Sequence, residues 1–255
     1  MGETSASRVV VESDVELAMR LADQAGALLL LTRDGSELDG RALADEGDRV
    51  AQEFLATELG TARPDDAVLS EEAVDDPSRL DARRVWIIDP LDGTREYSEG
   101  RHDWAVHVAL WQDGDLSAAA VALPGRGRVL STGDEVELPE RPSGPLQIAV
   151  SRSRPPVQAQ WLVERAGAEL VPMGSAGYKA LAVLLGEVDA YVHAGGQYEW
   201  DSAAPVAVAR AAGLHTSRVD GSALVYNQPD PKLPDLIVAR PEAAEAILAG
   251  TRPSA

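Results

Sequence analysis

The apolar run Val85-Trp86-Ile87-Ile88 stops on Asp89, and Asp92 follows across Pro90 and Leu91, just before Gly93-Thr94. A short apolar run bounded by polar residues reads as a buried strand. This one therefore delivers two carboxylates three residues apart at its end. Pro90 fixes one backbone angle and Gly93 frees another, so the turn can aim both carboxylates and a backbone carbonyl at one point. Hard divalent cations need that kind of oxygen cluster. Gly93 and Thr94 can open a helix, whose free N–H groups would face an anion. The plain alternative is an Asx-type turn with both aspartates solvated, and a bare pair at this spacing would read so. The full Asp89-Pro90-Leu91-Asp92-Gly93-Thr94 string after an apolar strand is far more specific.

Composition narrows the chemistry. There is no cysteine, which removes disulfides, thiolate zinc sites and cysteine nucleophiles. The four histidines, His102, His107, His193 and His215, lack helical metal-ligand spacing. Any metal would then be held by oxygen, which favours Mg²⁺, Ca²⁺ or Mn²⁺. The net charge of −19 argues against a nucleic-acid polymer or an anionic membrane as partner. It leaves room for a small anion, because bound metal ions reverse the local sign. The start, Gly2-Glu3-Thr4-Ser5, does not resemble a signal peptide, and the longest apolar stretch, near Ala27–Leu31, is too short to span a bilayer. The chain reads as soluble and cytoplasmic.

Ser13-Asp14-Val15-Glu16 is a capping box, and Leu17, Leu21, Leu28 and Leu31 follow on a helical face, predicting a helix over 14–31. The polar stretch 33–40 reads as a loop. Val50, Phe54 and Leu55 predict a second helix over 46–59. Ala67-Val68-Leu69 reads as another buried strand, and it also ends in acid, at Ser70-Glu71-Glu72. If it neighbours the 85–88 strand, Glu71 falls beside Asp89. Residues 104–111 alternate as a strand, Asp113-Gly114 supplies a hairpin turn, and 116–123 returns. Short strands near Val129 and Val136 extend the meander. Pro139, Pro142, Gly144 and Pro145 cluster at a boundary, dividing the chain into an α+β unit over 1–141 and an α/β unit over 142–255. The second unit alternates strand and helix. In it Trp200-Asp201-Ser202-Ala203-Ala204 opens a helix at about 201, where an isolated aspartate would be read as an N-cap. His102 and His107 read as structural; His107 alternates with Val106 and Val108, a pattern that turns it to solvent or a partner.

Taken together, the Glu71-Glu72 loop, the Asp89–Thr94 string and the distal Trp200-Asp201-Ser202-Ala203-Ala204 segment resemble the magnesium-dependent, lithium-sensitive inositol monophosphatase family. The resemblance runs over nearly the whole chain and implies a layered αβαβα sandwich. Thr94-Arg95-Glu96-Tyr97, Val150-Ser151-Arg152-Ser153, Gly174-Ser175 with Lys179, and Tyr226-Asn227 are similar to segments of its 3′-phosphoadenosine 5′-phosphate phosphatase (CysQ-type) branch. Carried over, the resemblance implies that Glu71, Asp89, Asp92, the Leu91 carbonyl and Asp201 hold two or three Mg²⁺ ions, with Mn²⁺ as a substitute and Li⁺ as an inhibitor. It implies that Thr94 helps Glu71 orient and activate the attacking water, and that Asp48 bonds Thr94. The family pattern around that aspartate is altered here to Asp45-Glu46-Gly47-Asp48, so either Asp45 or Asp48 can fill the position. The Gly93 and Thr94 N–H groups would receive the scissile phosphate, with Arg95, Ser151, Arg152, Ser175 and Lys179 as further substrate contacts. Arg152, Arg154 and Lys179 have the alternative of ordinary surface roles, and Arg95 that of pairing with Glu96 or Glu99.

The implied activity is hydrolysis of the 3′-phosphate of adenosine 3′,5′-bisphosphate (PAP), with the related sulfated nucleotide PAPS as a second substrate, by a homodimer. Inositol 1-phosphatase or fructose 1,6-bisphosphatase activity is the rival within the family. A non-catalytic cation or phosphoinositide module is the rival outside it, and the intact set of Glu71, Asp89, Asp92, Thr94 and Asp201 argues against that.

Overall fold

The structure, a computed structural model, describes residues 12–141 and 143–252, so the expectation about the chain start and the place of Pro142 lie outside the described residues. Helix α1 spans Asp14–Gly35 behind the expected capping box at Ser13. Its buried face is Leu17, Leu21, Ala25 and Leu29, a clean four-residue spacing, whereas Leu31 is exposed. Helix α2 spans Gly40–Ala62, so the expected loop shrinks to residues 36–39. The physical reason is a second four-residue series, Leu43, Gly47, Ala51, Leu55 and Leu59, which buries the early turns as well as the late ones.

Strand β1 (Ala67–Ser70) lies parallel to β2 (Arg84–Asp92), with Ser70 opposite Ile88. The five-residue helix α3 (Thr94–Ser98) follows. Strands β3 (Ala105–Gln112), β4 (Asp115–Leu123) and β5 (Arg128–Ser131) complete an antiparallel run in the order β1-β2-β3-β4-β5. Asp113 and Gly114 both take positive φ, 51° and 106°, the two-residue turn that matches strand twist. Val136 is not in a strand: Thr132 N–H closes the β5 pairing on the Ala119 carbonyl, and the chain then leaves for the second sheet.

That sheet contains β6 (Gln147–Ser151), β7 (Glu169–Met173), β8 (Ala190–Tyr198), β9 (His215–Ser217) and β10 (Lys232–Ala239), in the order β7-β6-β8-β10-β9. Helices α4 (Val157–Ala166), α5 (Ala176–Leu184), α6 (Glu199–Ala211) and α7 (Pro241–Thr251) alternate with its strands.

Period-2 alternation in β2 sorts the layers. Trp86 and Ile88 face α1 and α2 with Leu17, Leu21 and Leu55. Val85 and Ile87 face the opposite core, shared with Leu181 of α5, Val206 of α6 and Val238 of the second sheet. The far side of that sheet packs Ile148 and Ile237 on Leu162 of α4 and Ile247 of α7. The order is thus α, β, α, β, α, as the resemblance implied. Because α5 and α6 cover the inner face of the first sheet, β3 is buried on both faces. His107 is therefore fully enclosed, contrary to the expectation that it meets solvent or a partner.

Candidate active site

The carboxylates converge where the first sheet meets α5 and α6. Parallel pairing of β1 with β2 brings Glu71 to the Asp89 end, and the Glu71 N–H donates to the Ile88 carbonyl at 3.4 Å. The β2–β3 register then shifts between Asp89 and Asp92, where Pro90 has no N–H for the ladder. Gly93 takes φ +90°, and a Cβ there would stand 3.0 Å from the Ser175 Cβ, so both conformation and space demand glycine.

Asp92 is held across the molecule by the start of α5. Its Oδ2 accepts from Ser175 Oγ and from the Gly177 N–H, each at 2.7 Å, and its Oδ1 accepts from the Ala176 N–H at 3.1 Å. First-turn amides of a helix have no intrahelical acceptor, so a carboxylate satisfies them. Burial by itself would raise the Asp92 carboxyl. His107, Lys179 and Ser175 outweigh it and hold the group down at about 2. Oδ1 has only one donor and keeps acceptor capacity for a cation.

Sequence reasoning missed His107, although its strand register places it opposite Asp89. Its Nδ1 lies 3.0 Å from the Trp200 carbonyl, and its Nε2 lies 3.2 Å from Asp92 Oδ2, without hydrogen-bond alignment. The imidazole thus touches both β2 and α6. Ligand atoms of Asp89, Asp92 and His107 lie within 4.8 Å of one another, a candidate cation group.

The other acids have no cationic side chain in hydrogen-bond contact among the described residues, and His107 Nδ1 stands 3.9 Å from Asp89 Oδ2. Asp89 is fully buried: Oδ1 accepts from the Leu91 N–H at 3.1 Å, while Oδ2 has no hydrogen bond. Burial, then the charges of Glu71, Asp92 and Asp201, push its carboxyl well above the usual range. Glu71, open to solvent on one side but recessed among these acids, is pushed up to about 8 by burial and by Asp201 and Asp92. Asp201 is raised to about 6 by burial and Asp92. It sits in the first turn of α6, which starts two residues earlier than expected, and its Oδ2 accepts from the Tyr198 N–H at 2.6 Å. Asp48 is raised to about 7 by burial and by Glu72, with the Thr94 hydroxyl opposing. Asp45 instead is exposed beside Arg41, so it is Asp48 that faces Thr94. Thr94 Oγ1 donates to the Leu91 carbonyl at 3.1 Å. A buried oxygen without a hydrogen bond and four acids with raised pKa values suit a hard cation, so the donor set fits one.

A buried strut fixes the two chain halves around these acids. Arg79 chelates Asp75 and also donates to Asn227 Oδ1 at 2.6 Å and to the Gln228 carbonyl. Glu199 accepts from the Asn227 and Gln228 N–H groups. The loop after Glu71 is thereby tied to the start of the helix that carries Asp201.

The remaining sequence candidates line one cleft of about 310 Å³ with Asp92, Thr94 and Asp201. Of these, Ser175 also caps α5 by accepting from the Tyr178 N–H. Lys179 is buried, with Nζ donating to the Gly174 and Ser175 carbonyls and lying 5.1 Å from the Tyr191 ring centroid. Burial lowers its ammonium to about 8.

The fit around His107 yields a direct test. A Cβ on residue 177 would stand 2.0 Å from His107 Nε2. Gly177→Ala is expected to destabilise the fold by about 1–3 kcal/mol, the usual cost of overpacking. Thermal melting reads it, and a variant that melts with the wild type would contradict this packing.

Residues 11–254 match the model of the inositol monophosphatase family. The chain is 52% identical over 250 residues to the 3′-phosphoadenosine 5′-phosphate phosphatase of Mycobacterium leprae, covering 92% of each chain. It is 29% identical over 227 residues to the 3′(2′),5′-bisphosphate nucleotidase CysQ of Escherichia coli, covering 81% of this chain and 91% of that one. Among solved structures it is similar to CysQ from Bacteroides thetaiotaomicron, with a TM-score of 0.78, 25% identity, and 91% of this chain and 99% of that one covered. No helix among the described residues is long and apolar enough to cross a membrane.

Proposed function

The chain belongs to the inositol monophosphatase family, and from that premise we propose that it is a Mg²⁺-dependent phosphatase that removes the 3′-phosphate of adenosine 3′,5′-bisphosphate. The observation that carries this reading is the junction of an unneutralised acid cluster with a cleft that also holds arginines. Glu71, Asp89, Asp92, Asp201 and the Leu91 carbonyl would hold Mg²⁺. When bound, the metal supplies charge neutralisation on phosphate and leaving oxygen and a lowered pKa for water. Glu71 would accept the proton of the attacking water. The Thr94 hydroxyl, faced by Asp48, would orient that water. His107 and the first turn of α5 hold Asp92 ionised, so its charge is in place before substrate arrives. Phosphoryl transfer depends mainly on such positioned charge. Inhibition by lithium and a homodimeric assembly belong to the same reading.

Phosphate release from adenosine 3′,5′-bisphosphate, inositol 1-phosphate and fructose 1,6-bisphosphate, with Mg²⁺ and with excess chelator, tests it. The nucleotide is expected to have the highest kcat/KM, and the chelator to abolish turnover of all three. A preference for the inositol or sugar phosphate would reject the substrate, and turnover in chelator would reject the metal.

A further inference from the structure

Asp92 and Asp201 reach the acid cluster on different elements, β2 in the first half of the chain and the first turn of α6 in the second. A cation bound by both needs their carboxylates at a fixed separation. Mg²⁺ is the strictest, since its ligands stand at about 2.0–2.1 Å in near-ideal octahedral geometry, whereas Ca²⁺ accepts looser arrangements. Asp92 is anchored by the start of α5. The turn that carries Asp201 is less well tied by its own helix. Pro205 lies inside α6 and has no N–H to donate to the Asp201 carbonyl four residues earlier.

His107 stands between the two carboxylates, and its ring is fully enclosed. Nδ1 lies 3.0 Å from the Trp200 carbonyl. A carbonyl only accepts, so Nδ1 carries the proton and donates to the residue before Asp201. At the opposite edge, Nε2 lies 3.2 Å from Asp92 Oδ2. Gly177 closes that edge, since a Cβ on it would stand 2.0 Å from Nε2. The ring is thus held against β2 and α5 on one edge and against α6 on the other. By distance His107 belongs to the candidate cation group, yet Nδ1 is engaged by Trp200 and Nε2 is enclosed by Asp92 and Gly177.

We propose that His107 is a positioning residue, a buried strut that sets the separation of Asp92 from Asp201 and thereby the affinity of the site for Mg²⁺. The proposal rests on the metal reading above and is independent of which phosphate ester is the substrate.

The test is calorimetric binding of Mg²⁺ and of Ca²⁺ to the metal-free protein, without substrate. Wild type is compared with His107→Ala, His107→Asn and His107→Gln, and with Tyr226→Phe as a control. Asparagine places its amide near the Nδ1 position and glutamine near that of Nε2, so each keeps one end of the strut. In His107→Ala the Kd for Mg²⁺ should rise roughly 10- to 100-fold, the scale of a lost partner behind a metal ligand. The Kd for Ca²⁺ should rise less, because Ca²⁺ tolerates the loosened spacing. The Asn and Gln variants should each lie between wild type and Ala. Tyr226→Phe removes a hydroxyl that meets Ser202 of α6 at 3.2 Å, and should lower the melting temperature without moving either Kd.

A His107→Ala variant with wild-type Mg²⁺ affinity, or one that loses Mg²⁺ and Ca²⁺ equally, overturns the proposal. So does a Tyr226→Phe variant that loses as much Mg²⁺ affinity as His107→Ala. If His107→Ala does not fold, the Asn and Gln variants decide the matter: either one at wild-type affinity means that a single end suffices, and the strut is overturned. A wild type that binds no Mg²⁺ removes the metal reading itself, and the strut with it.

Discussion

Asp89→Asn is expected to lower phosphatase activity by about a thousandfold or more and, at the same time, to stabilise the metal-free protein. The two effects have one cause. Asp89 is enclosed beside Glu71, Asp92 and Asp201, with one oxygen bonded to the Leu91 N–H and the other without a hydrogen bond. Asparagine keeps the acceptor for Leu91. Its amide replaces the orphan oxygen with a donor among acids, removing a buried unsatisfied group that costs on the order of 1–3 kcal/mol. For activity the same exchange removes a charged oxygen from the proposed metal cluster, and electrostatic groups of this kind are worth about 10²–10³ in rate or more. Melting in chelator and turnover in saturating Mg²⁺ read the two effects separately. An active variant would remove Asp89 from the site, and an inactive but destabilised one would show that its place is structural.

The parts of this site that could be read in the sequence are those set by local chain geometry. The segment from Asp89 to Thr94 depends on a proline and a glycine near a strand end, and it brings the two aspartates together as read, although β2 runs on to Asp92 instead of stopping at Asp89. Glu71 beside Asp89 needed only the guess that two apolar strands are neighbours. By contrast, the hydrogen-bond donors that hold Asp92 come from 83 to 85 residues away, at the start of α5. No spacing in the sequence announces that contact. His107 was hidden for a related reason. A histidine alternating with valines reads as facing water when one face of a sheet is open, and here α5 and α6 cover that face. Helix α2 was underestimated because Leu43 and Gly47 precede the stronger apolar signal of Val50 and Phe54. Gly47 belongs to the face because a Cβ there would meet the Tyr97 ring at 2.9 Å and Leu91 at 3.0 Å, close to the Asp89–Thr94 segment. The same close approach accounts for glycine beside Asp48.

Without metal, the protein is expected to lose stability as pH rises from about 6.5 to 8, and Mg²⁺ is expected to remove most of that slope. Asp48, at about 7, Glu71, at about 8, and Asp89, well above the carboxylate range, are all raised in the folded state. A raised carboxyl keeps its proton in the folded chain at a pH where the unfolded chain has released it. Its stabilising contribution is therefore full below about pH 4 and lost as pH climbs through the folded value. His107 is also raised and acts in the same direction. Opposing groups titrate outside the window. His193, depressed to about 4, and His215, also depressed, add stability as pH rises to about 6.5. Lys179, depressed to about 8, adds it only above that value. Between the two limits the acid cluster dominates. Glu71 is partly open to solvent, so screening trims its share, and a fall in Tm on the order of 5–10 °C is expected in chelator. A bound cation favours the ionised acids, so the gap between the Mg²⁺ and chelator melting curves should widen with pH. A metal-free protein that melts higher at pH 8 than at 6.5, or a Mg²⁺ increment equal at both, would show that these acids are not held together as a single uncompensated cluster.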